Sequence, residues 1–160
     1  MSLFIVMGVS GCGKSSVAWM LAEKTGGLFL DADTFHPPAN KAKMAAGIPL
    51  TDDDRWGWLD TLNAELKQHV NSGRPVFLAC SALRQVYRER LAIGLPQLRF
   101  MFLRGSKELI RSRLTVRQNH FMSPALLDSQ FATLEEPTDA IVAEIDDSLE
   151  LIVEKLLSQI

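Results

Sequence analysis

The sequence predicts an α/β fold, a parallel sheet with helices on both faces, and three features predict it. Short runs of consecutive apolar residues recur along the chain, the pattern of strands buried on both sides. Longer stretches with apolar residues at helical spacing separate those runs. The first run ends in a glycine-rich turn that opens directly into such a stretch. Composition agrees. A chain of 160 residues, 47% hydrophobic and 22% charged, suits one compact domain and excludes a disordered chain. A formal charge of −2 excludes a strongly basic nucleic-acid binder. No apolar run approaches the ~20 residues of a membrane span. The first seven residues lack the basic and small-residue features of a signal peptide, and Cys12 and Cys80 read as free thiols. The expectation is a cytoplasmic protein that engages neither nucleic acid nor membrane.

The elements follow in order. Residues 3–7 (Leu-Phe-Ile-Val-Met) form a strand, and residues 14–24 a helix with Val17, Ala18, Leu21 and Ala22 at helical spacing. Leu28-Phe29-Leu30 is a second strand, stopped by Asp31-Ala32-Asp33. Pro37-Pro38 and Pro49 bracket a small-residue helix at 39–46. Thr51, followed by Asp52, Asp53 and Asp54, reads as an N-cap with acids in the first turn. Leu59, Leu62, Leu66 and Val70 share a face of the helix it opens. A strand at 76–80, a helix at 85–93, a strand at 98–103 and a helix at 107–116 come next. Residues 118–124 are polar and read as a loop, followed by a helix to about Leu134. A strand at 140–145 and a helix from Ser148 close the chain, which contains no repeat or linker. It reads as a single domain over residues 1–160.

The strongest motif is Gly8-Val9-Ser10-Gly11-Cys12-Gly13-Lys14-Ser15, followed by Ser16. It matches the phosphate-binding loop pattern in full, between a strand and a helix as that chemistry requires. Glycines let backbone N–H groups wrap around phosphate oxygens, and the helix N-terminus adds partial positive charge there. Lys14 is expected at the β- and γ-phosphates and the Ser15 hydroxyl on Mg²⁺. Cys12 sits where the helix N-terminus and Lys14 can lower a thiol pKa, but it reads as filling a loop position.

Such loops serve kinases, ATPases and GTPase switches. A switch needs a D-x-x-G element followed by an N-K-x-D element. Here Asn40-Lys41-Ala42-Lys43 precedes Asp54-Arg55-Trp56-Gly57, and Lys43 stands where an aspartate is required. A kinase fits better. Asp31 and Asp33 end the second strand, where open α/β sheets bind ligands, and a break there lets both carboxylates face one centre. One can hold metal-bound water while the other orients the acceptor hydroxyl. Arg111, Arg113 and Arg117 run into the polar loop, with Arg113 and Arg117 four apart on one helical face. They suit a lid that brings positive charge to the transferring phosphoryl group.

At this point the chain resembles the gluconate kinases, small-molecule P-loop kinases related to shikimate kinase. The likeness rests on the phosphate loop, on Asp31-Ala32-Asp33 leading to His36-Pro37, and on Gly47-Ile48-Pro49-Leu50-Thr51-Asp52-Asp53-Asp54-Arg55. It extends through Cys80-Ser81-Ala82-Leu83-Arg84, Tyr87-Arg88 and Gln130-Phe131-Ala132-Thr133-Leu134-Glu135-Glu136-Pro137. The resemblance implies a three-layer fold, its five-stranded parallel sheet in the order 2-3-1-4-5. It also implies a substrate-binding helical segment at about 36–65 and a lid at about 115–135. ATP and Mg²⁺ would be used to phosphorylate the 6-hydroxyl of D-gluconate, commonly by a homodimer. Asp31 would lie near Mg²⁺, Asp33 at the acceptor hydroxyl, Arg113 on adenine and Arg117 at the phosphates. A kinase of another hydroxy acid such as shikimate, or a non-catalytic nucleotide-binding switch, stands as the alternative. Shikimate kinases carry a glycine-rich motif where this chain has Ser81-Ala82-Leu83-Arg84.

Gluconate presents one carboxylate and five hydroxyls, which calls for a fork-like cation and short polar groups. Arg55, Arg84 and Arg88 are candidates for the carboxylate, and Ser81, His36 and Gln130 for hydroxyls. The charge pattern bears on this. Nine basic residues between Arg84 and Arg117 face two acids, whereas nine acids between Asp128 and Lys155 face Lys155 alone. Arg84, Arg88, Arg113 and Arg117 are assigned to ligands; Arg90, Arg99, Arg104, Lys107 and Arg111 read as surface.

Overall fold

The computed structural model describes residues 3–116 and 124–160. Five strands, β1 (Leu3–Met7), β2 (Leu28–Asp31), β3 (Val76–Ala79), β4 (Leu98–Arg104) and β5 (Ile141–Glu144), build one sheet. Its order is β2-β3-β1-β4-β5 and every neighbouring pair is parallel, as expected. The helices are α1 (Lys14–Thr25), α2 (Pro38–Ala45), α3 (Asp52–Gln68), α4 (Gln85–Leu91), α5 (Lys107–Val116), α6 (Pro124–Thr133) and α7 (Leu149–Leu157).

Alternation along β1 explains its continuous apolar run. Phe4 and Val6 pack on one side with Val17, Leu21, Val153 and Leu156 of α1 and α7. Leu3, Ile5 and Met7 pack on the other with Leu59, Leu62 and Leu66 of α3 and Leu91 of α4. All five β1 residues are buried, at about 1.5–3 kcal/mol for each large side chain removed from water. Phe4 stacks on Phe77 of β3 with centroids 5.2 Å apart, so the sheet is sealed on its α1 face. The edge strand β5 alternates instead, with Ile141 and Ala143 buried and Val142 exposed.

Several boundaries differ from expectation for local reasons. Pro38 occupies the first turn of α2, where its missing N–H costs nothing. α3 stops at Gln68, and Val70 packs from the turn beyond it. After Asp31 the chain enters a 3₁₀ turn, Ala32–Phe35, which had no periodic signal because it spans a single turn.

The sheet order puts β1 between β3 and β4, and the chain leaves β1 toward the β3 side. This is the switch point at which open α/β sheets bind ligands. The two strand ends are joined there: Cys80 N–H donates to Val6 O at 3.1 Å and Gly8 N–H to Ser81 O at 3.3 Å. Gly8 is indispensable at that junction. Its φ is 150°, and a Cβ would lie 2.7 Å from Cys12 Sγ and 2.9 Å from Leu103 O.

Candidate active site

A cleft of about 500 Å³ opens at the carboxyl ends of β1, β2 and β3. Ser10, Gly11, Gly13, Lys14, Ser15 and Ser16 line one wall. Gly13 caps α1 in the left-handed conformation (φ 94°), which turns the loop into the helix without a side-chain cap. The exposed first-turn hydroxyls of Ser15 and Ser16 and the free N–H groups there form the anion-binding end of α1. Lys14 Nζ donates to Val9 O at 3.3 Å, a hydrogen bond within its own loop. Val9 and Cys12 are buried and turn inward to the α1 core, so they serve the loop by packing. Burial also raises the Cys12 thiol pKa, outweighing the lowering by Lys14; the helix terminus does not produce a reactive thiolate here. Cys80 is likewise buried, its thiol pushed up to about 12.

Asp31 and Asp33 line the same cleft. The 3₁₀ turn brings both to one side, because Ala32 between them is buried and Asp31 Oδ1 accepts from Asp33 N–H at 3.0 Å. Partial desolvation in the cleft, then the neighbouring Asp31 charge, raises the Asp33 pKa, and Lys14 opposes both. Ser15 and Asp31 are oxygen donors on the same cleft. Among the described residues there is no cluster of three or more metal-binding side chains. That donor set fits a hard divalent cation that keeps most of its water and phosphate oxygens, as Mg²⁺ does.

His36 is 6% exposed and stacks on Trp58, with centroids 4.0 Å apart and planes 15° from parallel. Desolvation, reinforced by Arg55 and Lys41, lowers its pKa to about 4, so it is neutral near pH 7. Asn40 sets its tautomer. The Asn40 Nδ2 amide donates to Asp54 O at 2.8 Å and meets His36 Nδ1 at 3.2 Å. Nδ1 is therefore the acceptor, and Nε2 carries the proton. Asn40 was not among the sequence candidates, because its partners are set by tertiary packing.

The remaining candidates separate. Arg55 and Ser81 line the cleft. Arg84 lines a second cavity of about 430 Å³ that shares Leu50, Arg55 and Thr133 with the first. Gln130 lines the cleft too, but its Oε1 accepts from Ser10 N–H at 2.6 Å, so the amide oxygen is engaged by the phosphate loop. Arg88 is corrected outright. It is 4% exposed and lines neither cavity; its guanidinium donates to Ala82 O at 2.6 Å, Glu135 O at 2.7 Å and Gln85 Oε1 at 3.2 Å. A buried guanidinium satisfied by carbonyls has no fork left for a substrate. Arg113, on α5, donates to Ile145 O through a short hydrogen bond and does not line the cleft. Arg117 and most of the expected lid loop lie outside the described residues.

Comparison with known proteins gives this geometry a family. A family described as an AAA domain matches residues 3–137, placing the chain in that nucleotide-binding class. The thermoresistant gluconokinase of Escherichia coli is 43% identical over 94% of this chain and 89% of its own length. The chain belongs to the gluconokinase family. A gluconokinase structure from Sinorhizobium meliloti superposes with a TM-score of 0.89 at 42% identity, covering 98% of this chain and 90% of that one. A shikimate kinase from Bacteroides thetaiotaomicron, 16% identical with a TM-score of 0.69 over 99% and 97% of the two chains, shares the fold alone.

Three of the stretches that carry the likeness, 47–55, 80–84 and 130–137, meet around this cleft. Arg84 Nη1 donates to Asp52 Oδ2 at 2.6 Å, joining the second stretch to the first. Glu135 Oε1 accepts from Gln85 N–H at 2.8 Å and Glu135 N–H donates to Leu83 O at 2.8 Å, joining the third to the second. Asp52, Tyr87 and Glu135 are thus parts of the site's frame. Asp52 is a first-turn acid of α3, as the sequence predicts, and its contacts to Tyr87 and Arg84 are added by tertiary packing.

Proposed function

We propose that this gluconokinase-family chain transfers the γ-phosphoryl group of ATP to the 6-hydroxyl of D-gluconate, giving 6-phosphogluconate. Family membership over nearly the whole chain supports the substrate. The observation that carries the chemistry is the single cleft that Lys14, Ser15, Asp31 and Asp33 line together.

Lys14 leaves the Val9 carbonyl for the β- and γ-phosphates, and the loop N–H groups from Gly11 to Ser16 hold the phosphate chain. Ser15 and Asp31 hold Mg²⁺, which when bound neutralises phosphate charge. Asp33 accepts a hydrogen bond from the acceptor hydroxyl and aims its oxygen at phosphorus. Its raised pKa matches a group that receives that proton as the bond forms. Neutral His36, through Nε2–H, and Ser81 bind substrate hydroxyls. Arg55 binds the carboxylate, because it faces the cleft, whereas Arg88 is engaged by carbonyls and Arg84 by Asp52. Arg113 serves the adenine and Arg117 the transferring phosphoryl group, within a lid at 115–135 over a single domain. The enzyme works in the cytoplasm as a homodimer.

A coupled assay of ADP release with ATP and Mg²⁺ tests the reading against gluconate, other sugar acids, shikimate and nucleoside monophosphates. Gluconate is expected to give the highest kcat/KM. A better acceptor among the others, or ATP binding without transfer to any, refutes it.

A further inference from the structure

Where the cleft meets the second cavity, two arginines, one carboxylate and one phenol form a connected set, with Glu135 3.8 Å from Arg84 at its edge. Arg55 Nη1 donates to Tyr87 Oη at 2.8 Å. Tyr87 Oη donates its single proton to Asp52 Oδ1 through a short hydrogen bond. The other oxygen of Asp52 accepts from Arg84 Nη1 at 2.6 Å. Arg55 Nη1 and Asp52 Oδ1 form only a long ion pair, 3.7 Å apart, without direct hydrogen-bond contact. Tyr87 is 4% exposed, and its ring lies against both guanidinium groups, 5.2 Å from Arg55 and 5.6 Å from Arg84.

A phenol that gives its one proton to Asp52 must turn a lone pair to Arg55. Its oxygen is therefore wedged between an arginine and a carboxylate that would otherwise pair directly, the stronger contact for both. A direct hydrogen bond would tighten the present 3.7 Å ion pair and draw the Arg55 fork onto Asp52. We propose that Tyr87 is a positioning residue that holds Arg55 off Asp52 and so keeps the guanidinium available to the carboxylate of the sugar-acid substrate. Arg84 completes the device by occupying the second Asp52 oxygen. This deepens the role given to Arg55 above and rests on it.

Steady-state kinetics on single and double variants test the idea. Tyr87→Phe deletes one oxygen, and Arg55 then closes the gap to Asp52. The gluconate KM is expected to rise about tenfold, while kcat at saturation and the KM for ATP stay within about twofold. Asp52→Asn in the Tyr87→Phe background removes the charge that captures Arg55 and returns the KM to within about threefold of the parent. A packing defect would not be rescued in this way. Asp52→Glu, which extends a carboxylate toward Arg55 with Tyr87 intact, is expected to raise the gluconate KM by a similar factor, and it serves if Tyr87→Phe does not fold. An unchanged KM in Tyr87→Phe, or a raised KM that Asp52→Asn fails to lower, overturns the proposal while Arg55→Ala still raises KM. If Arg55→Ala leaves the gluconate KM unchanged, the role of Arg55 fails and the proposal falls with it.

Discussion

Asp33 is the side chain at which position, charge and proposed chemistry meet most directly. Its raised pKa has two measurable consequences. Only the ionised form accepts the hydroxyl proton, so the acidic limb of kcat/KM is expected above the ordinary value of an aspartate; a limb at or below that value would remove Asp33 from the role. The stability sign is opposite. A carboxyl whose folded pKa lies above its unfolded value binds protons better when folded, so its ionisation weakens the fold as pH rises through the folded pKa. Asp33→Asn is therefore expected to lower kcat by at least about a hundredfold and to raise Tm near pH 7. A lower Tm would contradict the electrostatic account. Lys14→Ala is expected to cost kcat a similar factor and to abolish the stabilisation by ATP, about 2.7 kcal/mol at a hundred times Kd, read as a Tm shift. Lys14, Ser15, Asp31 and Asp33 were legible in sequence because the motif and the strand break are local. The tautomer of His36 was not, since Asn40 reaches it from the next helix.

Among the elements, the loop after β3 illustrates how one buried arginine organises a site it does not enter. Ala82 adopts a left-handed conformation (φ 47°), unusual for a residue with a Cβ. Arg88 on α4 grips the Ala82 carbonyl and, across the molecule, that of Glu135 beyond α6, fixing the segment that carries Ser81 and Arg84. Arg88→Met strands those carbonyls and is expected to cost about 2–4 kcal/mol of stability. The urea midpoint is expected to fall by far more than the gluconate KM rises; a KM effect with full stability would restore Arg88 to the substrate site. α3 starts with a capping box in which Thr51 Oγ1 accepts from Asp54 N–H at 3.2 Å and Asp54 Oδ2 from Thr51 N–H at 2.8 Å. Lys43 also pairs with Asp54 at 2.9 Å, anchoring α2 to the same turn. Thr51→Ala is expected to cost about 1 kcal/mol, seen as a lower urea midpoint at constant slope. That cap was readable from Thr51 and the following aspartates, whereas the role of Arg88 was not, because the carbonyl of Glu135 reaches it from 47 positions away.

Over the whole molecule, part of the basic middle of the chain pairs with its acidic end. Lys107 and Arg111 on α5 meet Asp128 on α6 at 3.2 and 3.4 Å, and Arg104 on β4 meets Glu144 on β5 at 2.5 Å and Glu136 at 3.4 Å. These pairs are solvent-exposed, so each contributes little and salt screens it. Raising NaCl from 0.05 to 0.5 M is therefore expected to change unfolding stability by less than about 2 kcal/mol, and a larger loss would mean that these pairs hold the fold. By itself the sequence determined the strand–helix alternation, the phosphate loop, the aspartate pair and the family, because each is written in neighbouring residues or in motifs read as strings. Tertiary structure alone decided which arginine faces the cleft. Arg55, Arg84 and Arg88 are chemically alike, and a guanidinium is free for substrate only if no carbonyl or carboxylate reaches it first. Those competitors include Asp52, 32 positions from Arg84, and the carbonyl of Glu135, 47 positions from Arg88, which only the folded chain brings within reach.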